Sequence, residues 1–125
     1  MKWDDIGRDC LFAGRALRVS GRWRSSISRC YYAVFSIVVG KLEGRVRLPK
    51  NRLTPRHEEQ AHLILKRMTE LYPKDRRRLA NIVTRLRKAR ISADYNRSKP
   101  VDADDAREAC LDAALAFKIV KVTHA

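Results

Sequence analysis

The segment Ser25–Gly40 reads SSISRCYYAVFSIVVG and is apolar on nearly every side when it is drawn as a helix. A helix of this kind is buried among several neighbours instead of lying on a surface. We therefore expect it at the centre of a helical bundle, beginning near Arg24 or Ser25 and ending near Leu42. Arg29 interrupts the apolar run, so its charge must find a partner or reach the surface.

Amphipathic helices are predicted on both sides of this central segment, because apolar residues recur there at steps of three and four. The first helix is expected from Asp4 to Ser20, with the apolar stripe Trp3, Ile6, Cys10, Ala13 and Leu17. A third helix is expected after Thr54 and Pro55, since threonine can cap a helix and proline can occupy its first turn. Its apolar stripe is Ala61, Ile64, Leu65, Met68 and Leu71.

Two more helices are predicted after the break at YPKD, residues 72–75. The fourth is expected to be capped by Asp75 and to carry the stripe Leu79, Ile82, Leu86, Ala89 and Ala93. The fifth is expected to be capped by Asp102 and to carry Ala106, Cys110, Ala113, Phe117 and Val120. Because most connections are short, the sequence predicts an all-α, up-and-down bundle of four to five helices in a single domain, residues 1–125.

The chain is strongly basic, with a formal net charge of +14 at pH 7. Such an excess of positive charge attracts polyanions, and nucleic acid is the first class of partner that it favours. An acidic partner protein would be attracted to the same surface. Apolar residues make up 45% of the chain, which is enough for a core and excludes a disordered tail.

The cysteines and histidines do not form a recognisable metal or disulfide pattern. The cysteines lie among apolar residues, without disulfide or zinc-site spacing, and are Cys10, Cys30 and Cys110. We interpret them as buried small hydrophobic residues of a cytoplasmic protein. We expect every histidine at the surface; they are His57, His62 and His124. Neither a metal nor a cofactor is predicted, and no apolar run is long enough to span a bilayer.

Basic residues concentrate in one predicted loop and along the fourth helix. The loop EGRVRLPKNRLTPR, residues 43–56, has no clear period and carries Arg45, Arg47, Lys50 and Arg52. In the fourth helix, the stretch RLRKARISADYNR, residues 85–97, ends in Ala-Asp-Tyr. Arg87, Arg90 and Asp94 share one stripe of that helix beside its apolar face. Arginines in such a position can clamp phosphate with their planar fork.

Asp94 has three possible roles in this setting. It can pair across the bundle with Arg29, which would satisfy the charge inside the second helix, and we rank this structural clasp first. It can instead pair with Arg90, four residues earlier on the same helix. A role as general base ranks third, because a carboxylate surrounded by arginines is a weak base at neutral pH. Tyr95 is expected to pack at the end of the helix with its hydroxyl near a polar group.

The segments SSISRCYYAVFSIV and RLRKARISADYNRSKPVDADDAREACLDAALAFK together resemble the HEPN domain family. The resemblance covers most of the chain and implies a helical bundle, a homodimer and association with RNA. It also implies a prokaryotic toxin–antitoxin or defence system, in which a nucleotidyltransferase-type antitoxin is a possible partner. Active relatives form a metal-independent RNase site from an arginine and a histidine that follows it shortly.

The chain departs from that motif where the histidine is expected. If Tyr95 is aligned with the tyrosine that often follows the histidine, Ala93 takes the histidine position. Three hypotheses follow, and whether the protein is an enzyme stays open. In the first, it is an RNA-associated protein with weak or no RNase activity, and its phosphate contacts are Arg45, Arg47, Lys50, Arg52, Arg85, Arg87, Lys88 and Arg90. In the second, it is an RNase that uses Arg87, Arg90, Asp94 and Tyr95. In the third, it is a protein-interaction module whose basic face binds an acidic partner, such as a nucleotidyltransferase-type antitoxin.

Overall fold

The computed structural model describes residues 2–124. In that range it contains helices and the segments that connect them, and no strands. The helices are α1 (Trp3–Val19), α2 (Trp23–Leu42), α3 (Gln60–Arg67), α4 (Pro73–Tyr95) and α5 (Ala103–Ile119). A 3-10 turn, His57–Glu59, leads into α3. The all-α bundle with one short helix that the sequence predicts is therefore confirmed.

The central position of α2 follows from its apolar surface. It contacts α1, α3, α4 and α5, and nearly all of its residues from Ile27 to Val39 are buried. The exceptions include Arg29, which is exposed. Its charge thus reaches the surface, the second of the two outcomes that the sequence left open.

Helix α1 packs on α2 through a line that differs from its predicted apolar stripe. The buried residues of α1 are Gly7, Leu11 and Gly14, whereas Trp3 and Cys10 are only partly buried. Glycine does not contribute to an apolar periodicity. The predicted contact line of α1 therefore lies about one residue away from the line that is buried against α2. The missing side chains let α1 approach the α2 backbone closely.

The starts of α3 and α4 lie away from the caps that the sequence suggests. The helical segment before α3 begins at His57 instead of directly after Thr54, and its flanking residue Arg56 makes no side-chain cap. Helix α4 begins at Pro73, so Asp75 lies in the first turn, where it pairs with Arg78 at 3.7 Å. A proline at the first position already has the backbone angle of a helix, which explains the earlier start.

Helix α5 begins as the sequence predicts. The Asp102 side chain accepts a hydrogen bond from the Asp105 backbone N–H, and the Asp105 side chain accepts one from the Asp102 N–H, both at 3.0 Å. This is a capping box. Farther along, the thiols of Cys30 and Cys110 are buried with their sulfur atoms 3.4 Å apart, as expected for small core residues.

Arg24 of α2 holds the C-terminal end of α4. Its guanidinium donates hydrogen bonds to the carbonyl oxygens of Ala93 at 3.0 Å and Asn96 at 3.2 Å, and it also reaches those of Ser92 and Lys99. The last turn of α4 contains no basic residue of its own. A cation from the neighbouring helix therefore satisfies the free carbonyls and complements the negative end of the helix dipole.

We expect Arg24→Met to lower the free energy of unfolding by about 2 kcal/mol, because several carbonyls lose a charged donor while the packing of the stem is kept. Urea denaturation would measure the change. Arg22→Met makes the same replacement at an exposed arginine two residues earlier and is the matched control. Equal stability of the two variants would contradict a capping role for Arg24. Faster amide exchange over residues 92–96 in Arg24→Met alone would locate the effect at the end of α4.

Candidate functional site

The guanidinium of Arg90 lies among three tyrosine rings. Its central carbon is 5.8 Å from the ring centre of Tyr31, and 5.3 Å from those of Tyr32 and Tyr95. Its Nη2 donates to the Tyr32 hydroxyl at 2.7 Å and lies 3.4 Å from the Tyr95 hydroxyl. Cation–π attraction and these hydrogen bonds fix Arg90 in one orientation. We call Arg90 with these three tyrosines the tyrosine cage.

Asp94 pairs with Arg90 and not with Arg29. Its Oδ2 lies 3.1 Å from Arg90 Nε, although that N–H forms no well-aligned hydrogen bond, so charge attraction holds the pair. The Ser28 hydroxyl donates to the same oxygen at 3.3 Å. Within residues 2–124, no ion pair joins Arg29 to Asp94, and the predicted clasp between them is therefore replaced by Ser28. Arg29 still lines the cleft that contains Asp94.

His57 belongs to the same cluster, which contradicts its expected place at the surface. The 3-10 turn carries it against α2, where its ring stacks on Phe35 with the ring centres 4.3 Å apart. Its Nδ1 shares a hydrogen bond of 2.5 Å with the Tyr31 hydroxyl. The imidazole is thus held at one nitrogen and on one face, and it lies on the Arg90 side of the bundle.

Burial and the surrounding charges keep the His57 imidazole and the Tyr31 phenol of this cluster uncharged. Burial, followed by the positive charges of Arg90 and Arg87, lowers the pKa of His57 below its ordinary value of 6.5. Burial raises the pKa of Tyr31 to about 12, although Arg90 and Arg87 oppose that rise. At neutral pH, His57 is therefore a neutral imidazole and Tyr31 is a protonated phenol.

Arg87 lies one helical turn before Arg90 and is half-buried. Its charge reaches the cluster, since it lowers the pKa of His57. In contrast to Arg90, it has neither an ion pair nor a hydrogen bond from its side chain to another residue of the described chain. A guanidinium held beside a second one without a carboxylate of its own is suited to binding an anion.

The remaining cations that are predicted to contact phosphate fall into two groups, those that pair with a carboxylate and those that do not. Arg85 donates to both oxygens of Asp112, at 3.0 and 3.2 Å, and Arg52 lies 3.3 Å from Glu59. Arg45 pairs with Glu70. Of these predicted contacts, the exposed ones that form no ion pair with a described residue are Arg47, Lys50 and Lys88. The structure therefore brings Arg90 together with Tyr95 and Asp94 and places Arg87 one turn earlier on the same helix, whereas it engages three of the other cations elsewhere.

Two further features of the described residues bear on the chemistry of the site. No group of three or more His, Cys, Asp or Glu side chains is placed to hold a metal ion. No helix between residues 2 and 124 is long and apolar enough to cross a membrane. The side chains gathered at the site offer guanidinium, imidazole, phenol and carboxylate groups.

The sequence carries a weak signal for Tyr32 and none for His57. Ser28 and Tyr32 are four residues apart on α2 and share one helix face, so both can face a second helix. This spacing predicts that Tyr32 accompanies Ser28 toward α4. No comparable signal identifies His57, because its neighbours depend on how the long connection after α2 folds back.

Comparisons with known proteins agree with this architecture. The family model described as HEPN domain matches residues 1–122. The curated proteins give no match to the chain. The matched region includes every helix and every residue of the site described above. The chain belongs to the HEPN domain family.

Proposed function

We propose that this protein is an RNA-associated component of a prokaryotic toxin–antitoxin or defence system, acting as a homodimer in the cytoplasm. In this proposal it has weak or no RNase activity of its own. Membership of the HEPN family, whose domains are nuclease-like or RNA-associated helical modules, supports it. The observation that carries it is Arg87, a half-buried guanidinium that has no carboxylate partner among residues 2–124 and lies one helical turn before Arg90.

The pair Arg87 and Arg90 offers an anchor for one phosphate group. Asp94 neutralises only one of the two charges, so the pair keeps a net positive charge. Because the three tyrosines and Asp94 engage Arg90, Arg87 is the one of the two arginines whose donors meet no other side chain among residues 2–124. Partial burial strengthens its attraction for an anion over that of a fully exposed arginine, since water screens it less.

In this proposal, exposed cations extend the positive surface beyond the anchor. Lys88 follows Arg87 directly, and Arg47 and Lys50 lie in the loop between α2 and α3. Contacts of such residues to the sugar–phosphate backbone position RNA without reading its sequence. These contacts release counterions from the RNA, so the affinity of the protein for RNA is expected to fall steeply with added salt.

We expect Arg87→Gln to weaken binding to a single-stranded RNA by about tenfold and to reduce the salt slope by about one. Fluorescence anisotropy at roughly 50 to 200 mM salt would measure both. Arg77→Gln removes the same charge from an exposed position nearer the start of α4 and is the matched control. Equal affinities of the two variants would contradict the anchor.

The protein-binding alternative makes a different prediction. An acidic partner, such as a nucleotidyltransferase-type antitoxin, would also be attracted to a chain of net charge +14. If RNA is not bound even near 50 mM salt, the RNA proposal fails and this alternative replaces it. Light scattering of the purified protein would test the homodimer separately.

A further inference from the structure

We infer that Cys30 and Cys110 form a site of reversible oxidation, at which a peroxide converts the two thiols into one disulfide. The cysteines belong to α2 and α5, which contact each other in the bundle, and they are 80 residues apart in the sequence. Packing nevertheless places their sulfur atoms 3.4 Å apart. The site uses none of the residues of the tyrosine cage, and the inference is independent of the proposed binding of RNA.

The two sulfur atoms need to move only a short way to form a bond. Both cysteines are free thiols, and the S–S bond of a disulfide is about 2.05 Å long. The separation of 3.4 Å must therefore shrink by roughly 1.4 Å. Rotation of the two side chains about their Cα–Cβ bonds can bring the sulfurs together while the helices, which are already packed on each other, keep their places.

A short chain of hydrogen bonds gives the two thiols different roles. The Ser26 hydroxyl donates to the carbonyl oxygen of Gly14 at 2.7 Å, and the Ser26 oxygen lies 3.7 Å from the sulfur of Cys110. Each hydrogen finds an acceptor within this group if Cys110 donates to Ser26 and Cys30 donates to Cys110. The sulfur of Cys110 therefore accepts a hydrogen bond from the other thiol, and this bond becomes stronger when Cys110 carries a negative charge.

Cys110 is also the thiol that a small, uncharged oxidant such as hydrogen peroxide reaches first. It is 6% exposed, whereas Cys30 is 0% exposed. The hydrogen bond from Cys30 lowers the pKa of the Cys110 thiol, and the positive charges of Arg18 and Arg15 act in the same direction against the effect of burial. The hydrogen bond to Cys110 and burial raise the pKa of Cys30. Because a thiolate is the nucleophile, Cys110 attacks the oxidant and Cys30 completes the disulfide.

The reaction takes place in two balanced steps. The Cys110 thiolate attacks one oxygen of hydrogen peroxide, the O–O bond breaks, and the departing hydroxide takes up the proton that the thiol released, which gives a sulfenic acid and water. The sulfur of Cys30 then attacks the sulfur of Cys110, the S–O bond breaks, and the leaving hydroxide takes the thiol hydrogen of Cys30 to form a second water. The two sulfurs together lose two electrons, which the peroxide oxygens gain.

The position of Cys30 limits the oxidation to a reversible product. A sulfenic acid condenses with a neighbouring thiol, whereas one without such a neighbour is open to further, irreversible oxidation. Cys30 supplies that neighbour. Cys10 lies on α1, and its thiol forms no hydrogen bond with either of the other cysteines in the described part of the chain. Disulfides of this kind in a reducing compartment are transient and respond to oxidants.

The test exposes the folded full chain to hydrogen peroxide, blocks the remaining thiols in urea and counts them by mass spectrometry. We expect two of the three thiols to be lost, with one linked peptide pair containing Cys30 and Cys110, and we expect dithiothreitol to restore both. Cys10→Ser is the matched control and should form the same link. Cys30→Ser and Cys110→Ser should form no intramolecular link. A thermal melt before oxidation would establish that each variant is folded.

The order in which the two thiols react has a readout of its own. Dimedone, which traps sulfenic acids, should label Cys110 in the Cys30→Ser variant, because the thiol that completes the disulfide is missing. In the Cys110→Ser variant, labelling of Cys30 should be at least about tenfold slower, because that thiol is fully buried. Equal labelling rates in the two variants would contradict the assignment of Cys110 as the attacking thiol.

Two results with the wild-type chain would overturn the oxidation site itself. In the first, all three thiols stay free in the folded chain at a peroxide concentration that oxidises the urea-unfolded chain. In the second, Cys10 alone is oxidised while Cys30 and Cys110 remain free. Because neither measurement contains RNA, both results leave the proposed function untouched.

Discussion

Replacing Arg90 by methionine is expected to lower the free energy of unfolding by about 3 kcal/mol, because its partners would lose their shared cation. The Arg90 side chain is only 17% exposed. Methionine fills much of its volume but cannot donate to Tyr32 or balance Asp94. Equilibrium urea denaturation would measure the loss, and Arg87→Met is the matched control. Arg87 makes no ion pair with a described residue, so its replacement should cost well under 1 kcal/mol.

A second readout of Arg90→Met is independent of stability. Because the charge of Arg90 lowers the pKa of His57, its removal should raise that pKa, and NMR titration of the imidazole would follow it. Burial remains the larger cause, so the pKa should stay below 6.5. Arg87→Met should raise it less. An unchanged pKa in Arg90→Met would show that the two side chains are farther apart than in this structure.

The same pKa has a consequence for acid stability. The unfolded chain binds a proton at His57 more readily than the folded chain, because the folded pKa is lower. The contribution of neutral His57 to the free energy of unfolding is therefore present above pH 6.5. It is lost as the pH falls toward the pKa that His57 has in the folded chain. In Arg90→Met the difference between the two pKa values narrows, so less stability is lost in that interval.

The architecture was predictable from the sequence wherever apolar patterning decides it. Helix α2 begins and ends within two residues of the expected positions, and Asp102 caps α5 as expected. Both features depend on local composition: a segment apolar on all sides, and an acidic residue before a helix. The two arginines of the candidate site were also predictable, because residues three apart on one helix share a face.

The partner of Asp94 could not be chosen from spacing along the chain alone. Ser28 and Arg29 are adjacent on α2, so their side chains point about 100° apart around the helix. The face that meets α4 carries Ser28 and Tyr32, and Arg29 is turned to solvent. Which of two adjacent residues faces a neighbour depends on helix rotation, and the long side chain of an arginine can reach a partner from either direction.

His57 shows a different limit of sequence reasoning. It lies outside the regular helices, and its contacts to Tyr31 and Phe35 join segments separated by the whole loop 43–56. Neither periodicity nor motif spacing reports on such a contact. The expectation that His57 lies at the surface was therefore wrong, because packing brings its imidazole to the Arg90 side of the bundle from another element.

The close approach of α1 to α2 makes Gly7 sensitive to any added side chain. A Cβ added there would lie 2.6 Å from Ile37 Cγ2 and 3.1 Å from the Ala33 carbonyl oxygen. The first contact is far shorter than van der Waals distance, and both partners belong to the buried central helix. Gly14 is similar, since an added Cβ would lie 2.9 Å from Cys30 Sγ.

We expect Gly7→Val to lower the free energy of unfolding by about 3 kcal/mol, because α1 must move away from the helix that also carries Tyr31 and Tyr32. Urea denaturation would measure it. Ala16→Val introduces the same side chain at an exposed position of α1 and should cost only the helix propensity, about 0.5 kcal/mol. Similar losses in the two variants would mean that the helices are less closely packed. A loss confined to Gly7→Val would show that a residue without a side chain determines how the central helix is covered.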